Sequence, residues 1–227
     1  MSLDFDSARL PNTRLKPEHH EWRAQLRRFF DREVIPYADQ WDEDGCIPDE
    51  LWPKSAEVGI LGLGYPEEFG GVSEGIDLWY SIILNEEMSR VAVGGLGATL
   101  MVHGIGLPPV INFGSDDVKK MVAPPVLAGT KRISLAITEP GAGSDVAHLT
   151  TTARLNGDHY VVNGQKVWIS RIQHSDLMIL LARTTPLADV KKKSEGLSIF
   201  LVDVKEAMSK GMTVRPILNM VNHETNE

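Results

Sequence analysis

The hydrophobic pattern changes period at about Lys131, and this change constrains the fold more than any other feature of the sequence. Before it, apolar residues such as Trp22, Leu26 and Phe30 recur at helical spacing. After it, short apolar runs are separated by polar turns, and they span 133–137, 151–155, 160–162, 167–169, 177–182, 197–202 and 213–216. The pattern predicts an α+β fold, in which an all-α helical domain at residues 1–130 precedes an antiparallel β-sandwich or barrel domain at residues 131–227.

The first domain contains several predicted helices. Pro17 begins the first of them, which runs to about Gln40 and is ended or bent by Pro36. Ser115 caps the last, which stops near Gly129. Between these two, the pattern predicts helices at 51–58, 76–91 and 96–113, whereas the acidic run 39–44 is interpreted as a solvated loop.

Two adjacent carboxylates, Glu86 and Glu87, lie in the middle of one predicted helix. Paired carboxylates occur in acid–base catalysis. Arg90 follows them at helical spacing, however, so ion pairing on the helix surface is the preferred interpretation. His103 stands alone in the next helix, and we interpret it as a helix residue rather than a base.

The charge balance excludes some classes of partner. The 227-residue chain has a net charge of −8, which argues against non-specific binding to nucleic acid or to an anionic membrane surface. Its single cysteine, Cys46, offers no disulfide framework and no cysteine-rich metal site.

The N-terminus has no secretory signal, and no stretch reaches the ~20 apolar residues of a membrane span. We therefore expect no metal site and a cytoplasmic location of bacterial type, with the mitochondrial matrix as the second choice.

The stretch from Ser134 to Asp145 has the pattern of a ligand-binding turn. It begins as a short buried strand and then breaks at Pro140-Gly141, a pair typical of tight turns. The glycines leave successive backbone N–H groups uncovered, and such a concavity suits carbonyl or phosphate oxygens. Thr138 and Ser144 add hydroxyl groups that can donate or accept hydrogen bonds. Many turns of this composition only connect two strands, so the pattern is not specific by itself.

A second segment, which runs to Ser170, supports the interpretation of the first as part of a ligand-binding site. Asn156-Gly157 and Asn163-Gly164 are hairpin turn signals, and a strand is predicted between them. A further strand at 166–170 would place Val167 and Ile169 on one face and Trp168 and Ser170 on the other. An indole beside a hydroxyl suits a planar heteroaromatic ligand that needs both stacking area and hydrogen bonds. Lys166 and Asp158 are interpreted as turn and surface residues.

Taken together, these motifs resemble the acyl-CoA dehydrogenase family. The resemblance rests on Ala-Ile-Thr-Glu-Pro-Gly-Ala-Gly-Ser-Asp at 136–145, Asn-Gly-Gln-Lys-Val-Trp-Ile-Ser at 163–170 and Ala-Arg-Thr at 182–184. It extends from about Pro17 to the last residue. It implies the first two domains of that family, with an incomplete middle β-domain and without the C-terminal four-helix domain, and it implies that this piece alone is inactive.

The resemblance also implies FAD as the cofactor. Thr138 would bond the pyrimidine side of the isoalloxazine, Trp168 would pack on its outer face, and Ser170 would bond near N5. Gly143 and Ser144 would approach the pyrophosphate. The complete implied set of cofactor-binding residues is Leu135, Ile137, Thr138, Gly143, Ser144, Trp168, Ile169 and Ser170.

The implied reaction is the α,β-dehydrogenation of an acyl-CoA thioester to a trans-2-enoyl-CoA, with electrons passed to electron-transfer flavoprotein. Ser144 would also bind the CoA moiety, and Leu100, Met101 and Gly104 are candidates for the acyl pocket. The catalytic base is unknown, because in relatives it usually comes from the domain that this sequence lacks. A homotetramer or homodimer is expected. The alternatives are an acyl-CoA or nitroalkane oxidase on the same fold, or a non-catalytic subunit that binds flavin and CoA.

Overall fold

The protein, seen as a computed structural model that describes residues 11–91, 93–218 and 224–226, contains two compact units. The first unit comprises the chain up to Met101 together with Phe113–Thr130. The second comprises Val102–Asn112 together with the chain from Lys131 onward. The segment 102–112 therefore groups with the β-rich part of the chain by its contacts, although it belongs to the helical region by sequence.

Helices form most of the first unit because apolar side chains at helical spacing give each of them a buried face. Leu26, Phe30 and Ile83 are completely buried in a core that α1 and α4 share. The helices of the described chain are α1 (Pro17–Glu33), α2 (Ala38–Asp44), α3 (Leu51–Glu57), α4 (Leu78–Ser89), α5 (Leu96–Leu100), α6 (His103–Phe113), α7 (Asp116–Leu127) and α8 (Val204–Ser209).

The second unit contains a mixed five-stranded sheet, and β4 is its central strand. β5 pairs with β4 in antiparallel register along its whole length, from Leu177↔Asp203 to Arg183↔Leu197. On the other edge β1 and β2 both run parallel to β4. The strands of this sheet are β1 (Ile133–Ala136), β2 (Thr152–Asn156), β3 (His159–Asn163), β4 (Leu177–Arg183) and β5 (Leu197–Asp203). A separate two-stranded sheet consists of β6 (Ile217–Leu218) and β7 (Glu224–Asn226).

The predicted fold class, a helical domain followed by a β-domain, is confirmed, but the sheet is not purely antiparallel and does not close within the described residues. The acidic run 39–44 is helix α2 rather than a loop. The helix predicted at 96–113 is interrupted between Leu100 and His103. Residues 213–216 do not form a strand; β6 begins after them. The resemblance also implies that residues 220–227 lead into a further strand of the middle domain, and these residues lie largely outside the described part of the chain.

Two glycines show how closely elements of the second unit approach each other. A Cβ on Gly106 of α6 would lie 2.9 Å from the carbonyl oxygen of Ile133 in β1, closer than ordinary contact. A Cβ on Gly164 would collide with the Thr151 hydroxyl and lie 2.6 Å from the Thr151 Cα. Asn163-Gly164 therefore lies against the start of β2 and does not form the hairpin turn predicted from sequence. Gly157, at φ +66°, does form the predicted β2–β3 turn.

One stretch of the described chain is long and apolar enough to cross a bilayer by length and composition alone. It is the 18-residue stretch Leu96–Phe113, which has a mean hydropathy of 1.3 and is 44% buried. Core helices of folded domains pass the same test, and α5 and α6 divide this stretch in two. It is therefore weak evidence for a membrane span.

Candidate functional site

The turn after β1 exposes main chain to open space. Glu139 and Ala142 exchange two backbone hydrogen bonds of 3.1 and 3.0 Å, which close the predicted turn at Pro140-Gly141. A Cβ placed on Gly141 or Gly143 would meet no heavy atom within 4 Å. Backbone amides beside such space can be approached closely by phosphate or carbonyl oxygens.

The segment from Lys166 to Ser170 is not the strand predicted from sequence. Trp168 adopts φ +62°, a left-handed conformation that non-glycine residues seldom adopt, and it breaks the side-chain alternation of a strand. The indole is 57% exposed, so it offers a flat surface to a ligand. Ile169 lies in the core of the β-unit with Ala136 and Ala153, so any contact it makes with a cofactor must go through its main chain.

The structure brings these two segments side by side. The Val167 N–H donates to the Thr138 carbonyl at 3.0 Å, and the Lys166 ammonium donates to the Ile137 carbonyl at 2.9 Å. The exposed indole of Trp168 therefore follows directly on a residue bonded to Thr138. Strain retained at such a position is a common feature of ligand-binding sites.

A buried carboxylate lies behind this junction. Glu139 is only 4% exposed, and one of its oxygens accepts from the Thr150 N–H at 2.6 Å and the Thr150 hydroxyl at 2.8 Å. The other accepts from the Thr151 N–H and from the Lys166 ammonium, each at 2.9 Å. Burial alone raises the pKa of Glu139, but hydrogen bonds from Thr151, Thr150 and Lys166 outweigh it and lower the pKa to about 2. Burial lowers the pKa of Lys166 from its ordinary value, and Glu139 partly offsets this.

A second buried charge fixes the loop that follows Ser144. Arg183, at the end of β4, is 4% exposed, and its guanidinium donates to the carbonyls of Ala147, Lys193 and Glu195 at 3.0, 3.0 and 2.9 Å. Carbonyl acceptors satisfy the planar fork of donors without a carboxylate partner. The guanidinium therefore ties the loop after Ser144 to the tip of the β4–β5 hairpin.

Most of the predicted cofactor residues are accessible in this region. Gly143, Ser144 and Trp168 are exposed, whereas Leu135, Ile137, Thr138 and Ser170 are half-buried. The predicted acyl-pocket residues are more scattered. Leu100 is completely buried in the core of the first unit with Met101 packed against it, whereas Gly104 is exposed and belongs to the second unit.

Sequence reasoning missed the Glu139–Lys166 pair. Lys166 was predicted to be a surface residue, and this is wrong because its side chain is 10% exposed. Asp158, by contrast, is exposed in the β2–β3 turn as predicted. Two signals could have found the pair: a charged residue three positions after a buried strand, and a lysine directly before the apolar run Val167–Ile169.

The exposed amides of the turn, the open space over Gly141 and Gly143, and the exposed indole fit a dinucleotide with a planar ring. Phosphate oxygens suit bare amides, and an isoalloxazine suits an indole face with a hydroxyl nearby. On this chemistry, the residues present fit FAD.

A helical domain followed by a mixed-sheet domain with this strand-end turn is the arrangement of an acyl-CoA dehydrogenase fold. The family model for the acyl-CoA dehydrogenase N-terminal domain matches residues 16–130, and that for the middle domain matches residues 134–227. The chain belongs to the acyl-CoA dehydrogenase family.

Individual relatives agree with this family. The pig mitochondrial long-chain specific acyl-CoA dehydrogenase is 36% identical over 186 residues, which is 82% of this chain and 42% of that protein. A probable acyl-CoA dehydrogenase from Mycobacterium abscessus superposes with a TM-score of 0.82 at 36% identity, over 93% of this chain and 54% of that one.

A glutaryl-CoA dehydrogenase from Mycobacterium smegmatis in complex with FADH2 shares the fold. Its TM-score is 0.79 at 24% identity, over 98% of this chain and 53% of that one. This chain thus spans about half the length of the relatives it matches.

Proposed function

We propose that this chain forms the flavin-binding part of an FAD-dependent acyl-CoA dehydrogenase, which converts an acyl-CoA thioester to its trans-2-enoyl product. The observation that carries the proposal is the hydrogen bond from Val167 N–H to the Thr138 carbonyl, which places the two family motifs side by side. The exposed indole of Trp168 and the open space over Gly143 support it. The structural relative with bound FADH2 supports the identity of the cofactor.

Each part of the site has a proposed role. Leu135, Ile137 and Thr138 line the ring, and the amides at Gly143 and Ser144 receive the pyrophosphate. Donors from Thr138 and Ser170 stabilise negative charge on the ring edge, because fixed dipoles in a partly desolvated site need no reorganisation. Bound FAD would supply the hydride acceptor.

No carboxylate of the described chain is assigned as the base. A general base works best with a pKa near the operating pH. Glu139, at about 2, is far below that range, and its oxygens already accept four hydrogen bonds. Glu87 is completely buried among arginines. We place the base in a part of the protein outside this sequence.

Substrate and partners follow from the same proposal. Ser144 is exposed beside the turn and would bind the CoA moiety, while Met101 and Gly104 remain candidates for the acyl pocket. Leu100 is the weakest of these candidates, because it is completely buried in the core of the first unit. We further propose electron-transfer flavoprotein as the acceptor, a homodimer or homotetramer, and a cytoplasmic location.

The test uses full-length protein supplied with FAD. We expect a tightly bound flavin whose visible absorbance bleaches when a saturated acyl-CoA is added without oxygen. A series of acyl-CoAs of graded length would then define the substrate. A protein that binds no flavin would overturn the proposal. Release of peroxide under air would identify an oxidase instead, and bound flavin that no acyl-CoA bleaches would identify a non-catalytic binding subunit.

A further inference from the structure

The buried ion pair of the second unit joins three segments that are distant in sequence. Lys166 bonds both the Ile137 carbonyl and the Glu139 carboxylate, each at 2.9 Å. Glu139 in turn receives the backbone N–H groups of Thr150 and Thr151 at 2.6 and 2.9 Å. The end of β1, the entry to β2 and the Trp168 segment therefore meet at one pair of charges.

Two residues proposed to contact the flavin lie beside this pair in sequence. Thr138 lies between Ile137 and Glu139, and Trp168 lies two residues after Lys166. Thr138 is half-buried and Trp168 is exposed, so neither is fixed in place by a surrounding core. Hydrogen bonds made by the pair hold the chain on both sides of Thr138 and directly before Val167 and Trp168.

Stability alone does not require an ion pair at such a position. Replacing a buried ion pair by well-packed apolar residues is often neutral for folding, whereas its fixed geometry can specify one arrangement of the chain. A carboxylate can accept from several donors at once, which a hydrophobic side chain cannot do.

We propose that Glu139 and Lys166 are positioning residues for the flavin site, which hold the Thr138 turn and the Trp168 segment at the separation the flavin ring requires. The inference rests on the proposed function, because it assumes that FAD is the ligand of this site. Neither residue is assigned a contact with the flavin.

The test compares FAD dissociation constants and flavin reduction potentials of full-length variants. We expect Glu139→Gln and Lys166→Met each to weaken FAD binding by about tenfold to a hundredfold, because each breaks buried charged hydrogen bonds. Both should also shift the flavin potential. Lys166→Arg, which keeps the charge, should bind FAD more tightly than Lys166→Met. The matched control is Glu87→Gln, another buried carboxylate, which should lose stability while binding FAD as the wild type does.

The double variant Glu139→Gln with Lys166→Met separates positioning from folding, because it leaves no single charge buried without a partner. We expect it to be more heat-stable than either single variant and still to bind FAD weakly. If FAD affinity instead recovers with stability, the pair is only structural and the inference is overturned.

Hydrogen exchange provides a readout for variants that fold poorly. In Lys166→Met, we expect faster exchange of the Val167 and Thr151 amides than in the wild type, with β4 and β5 unchanged. If exchange instead becomes faster throughout the second unit, including β4 and β5, the inference is overturned. If wild-type protein binds no FAD, the proposed function itself fails, whereas unchanged FAD binding in both single variants overturns this inference alone.

Discussion

At the scale of single residues, burial separates side chains that look alike in sequence. Trp52 is 3% exposed in the core of the first unit, whereas Trp168 is 57% exposed with a left-handed backbone. Glu86 and Glu87 are neighbours on α4, yet Glu86 is 41% exposed and Glu87 is completely buried. Sequence periodicity placed both carboxylates on the helix surface, so it identified the pairing of Glu87 with Arg90 but missed the burial of Glu87. The shorter contacts to Arg23 and Arg27 come from α1 and were missed as well.

The substitution Trp168→Gly tests whether the indole serves the ligand or the fold. Little buried area is lost, and relief of the left-handed strain offsets the flexibility that glycine adds, so the unfolding free energy of the apoprotein should change by less than about 1 kcal/mol. Trp52→Ala, in the core, should cost about 3–5 kcal/mol. Chemical denaturation of both variants measures this. Equal losses of unfolding free energy in the two variants would mean that the Trp168 side chain stabilises the fold.

Glu87 and Glu86 form a matched pair for testing buried charge. Arg23 and Arg27 each contact Glu87 at 2.9 Å, and Arg90 contacts it at 3.3 Å. Glu87→Gln removes the buried anion that these three arginines share and should cost about 3–5 kcal/mol of unfolding free energy. Glu86→Gln removes an exposed partner and should cost about 0–1 kcal/mol. Denaturation at neutral pH gives both values, and similar costs would contradict the assignment.

The buried Glu87 carboxylate also predicts that the stability of the fold depends on pH. Burial raises the pKa of Glu87, but hydrogen bonds from Arg27 and Arg23 outweigh it and hold the pKa below its ordinary value of 4.5. The stabilisation is therefore fully present above pH 4.5 and is lost as the pH falls through the folded-state pKa. Glu87→Gln should flatten this acid-side loss of stability, measured by denaturation between neutral and acid pH. If the stability of Glu87→Gln falls with pH as steeply as that of the wild type, Glu87 is not the source of the pH dependence.

At the scale of elements, local signals were sufficient for most helices and strands but not for their pairing. Ser115 caps α7 as predicted, and α3 ends before Gly59 at φ +84°, because caps and breakers act through neighbouring residues. The parallel pairing of β1 with β4 joins segments more than forty residues apart, and no local pattern specifies it. The strand predicted at 166–170 failed because a hydrogen bond to Thr138 and the conformation of Trp168 override its strand-like composition.

The close approach of Gly164 to Thr151 predicts a strong effect of one methyl group. Gly164→Ala would place a Cβ 2.6 Å from the Thr151 Cα, so the entry to β2 must shift. Overpacking of this kind should cost about 1–3 kcal/mol of unfolding free energy. Gly143→Ala adds the same methyl group to open space and should change stability by less than about 0.5 kcal/mol. Thermal melts of the two apoproteins compare them, and equal shifts would contradict the geometry.

At the scale of the whole molecule, resemblance and geometry support each other. The motifs identified the family and named Thr138 and Trp168, and the structure shows them joined through Val167. The Glu139–Lys166 pair escaped detection because charged residues beside turns usually lie on the surface. Its burial depends on long-range contacts with the entry to β2.

The affinity for FAD of two tryptophan variants tests the central claim most directly. Trp41, stacked on Tyr37 in the first unit with ring centroids 5.8 Å apart, is the matched control for Trp168. We predict that Trp168→Ala weakens FAD binding by about tenfold, as expected when an aromatic stacking contact is lost. Trp41→Ala should bind FAD as the wild type does. Wild-type affinity in Trp168→Ala, or equal weakening in both variants, would contradict the assignment of this site to the flavin.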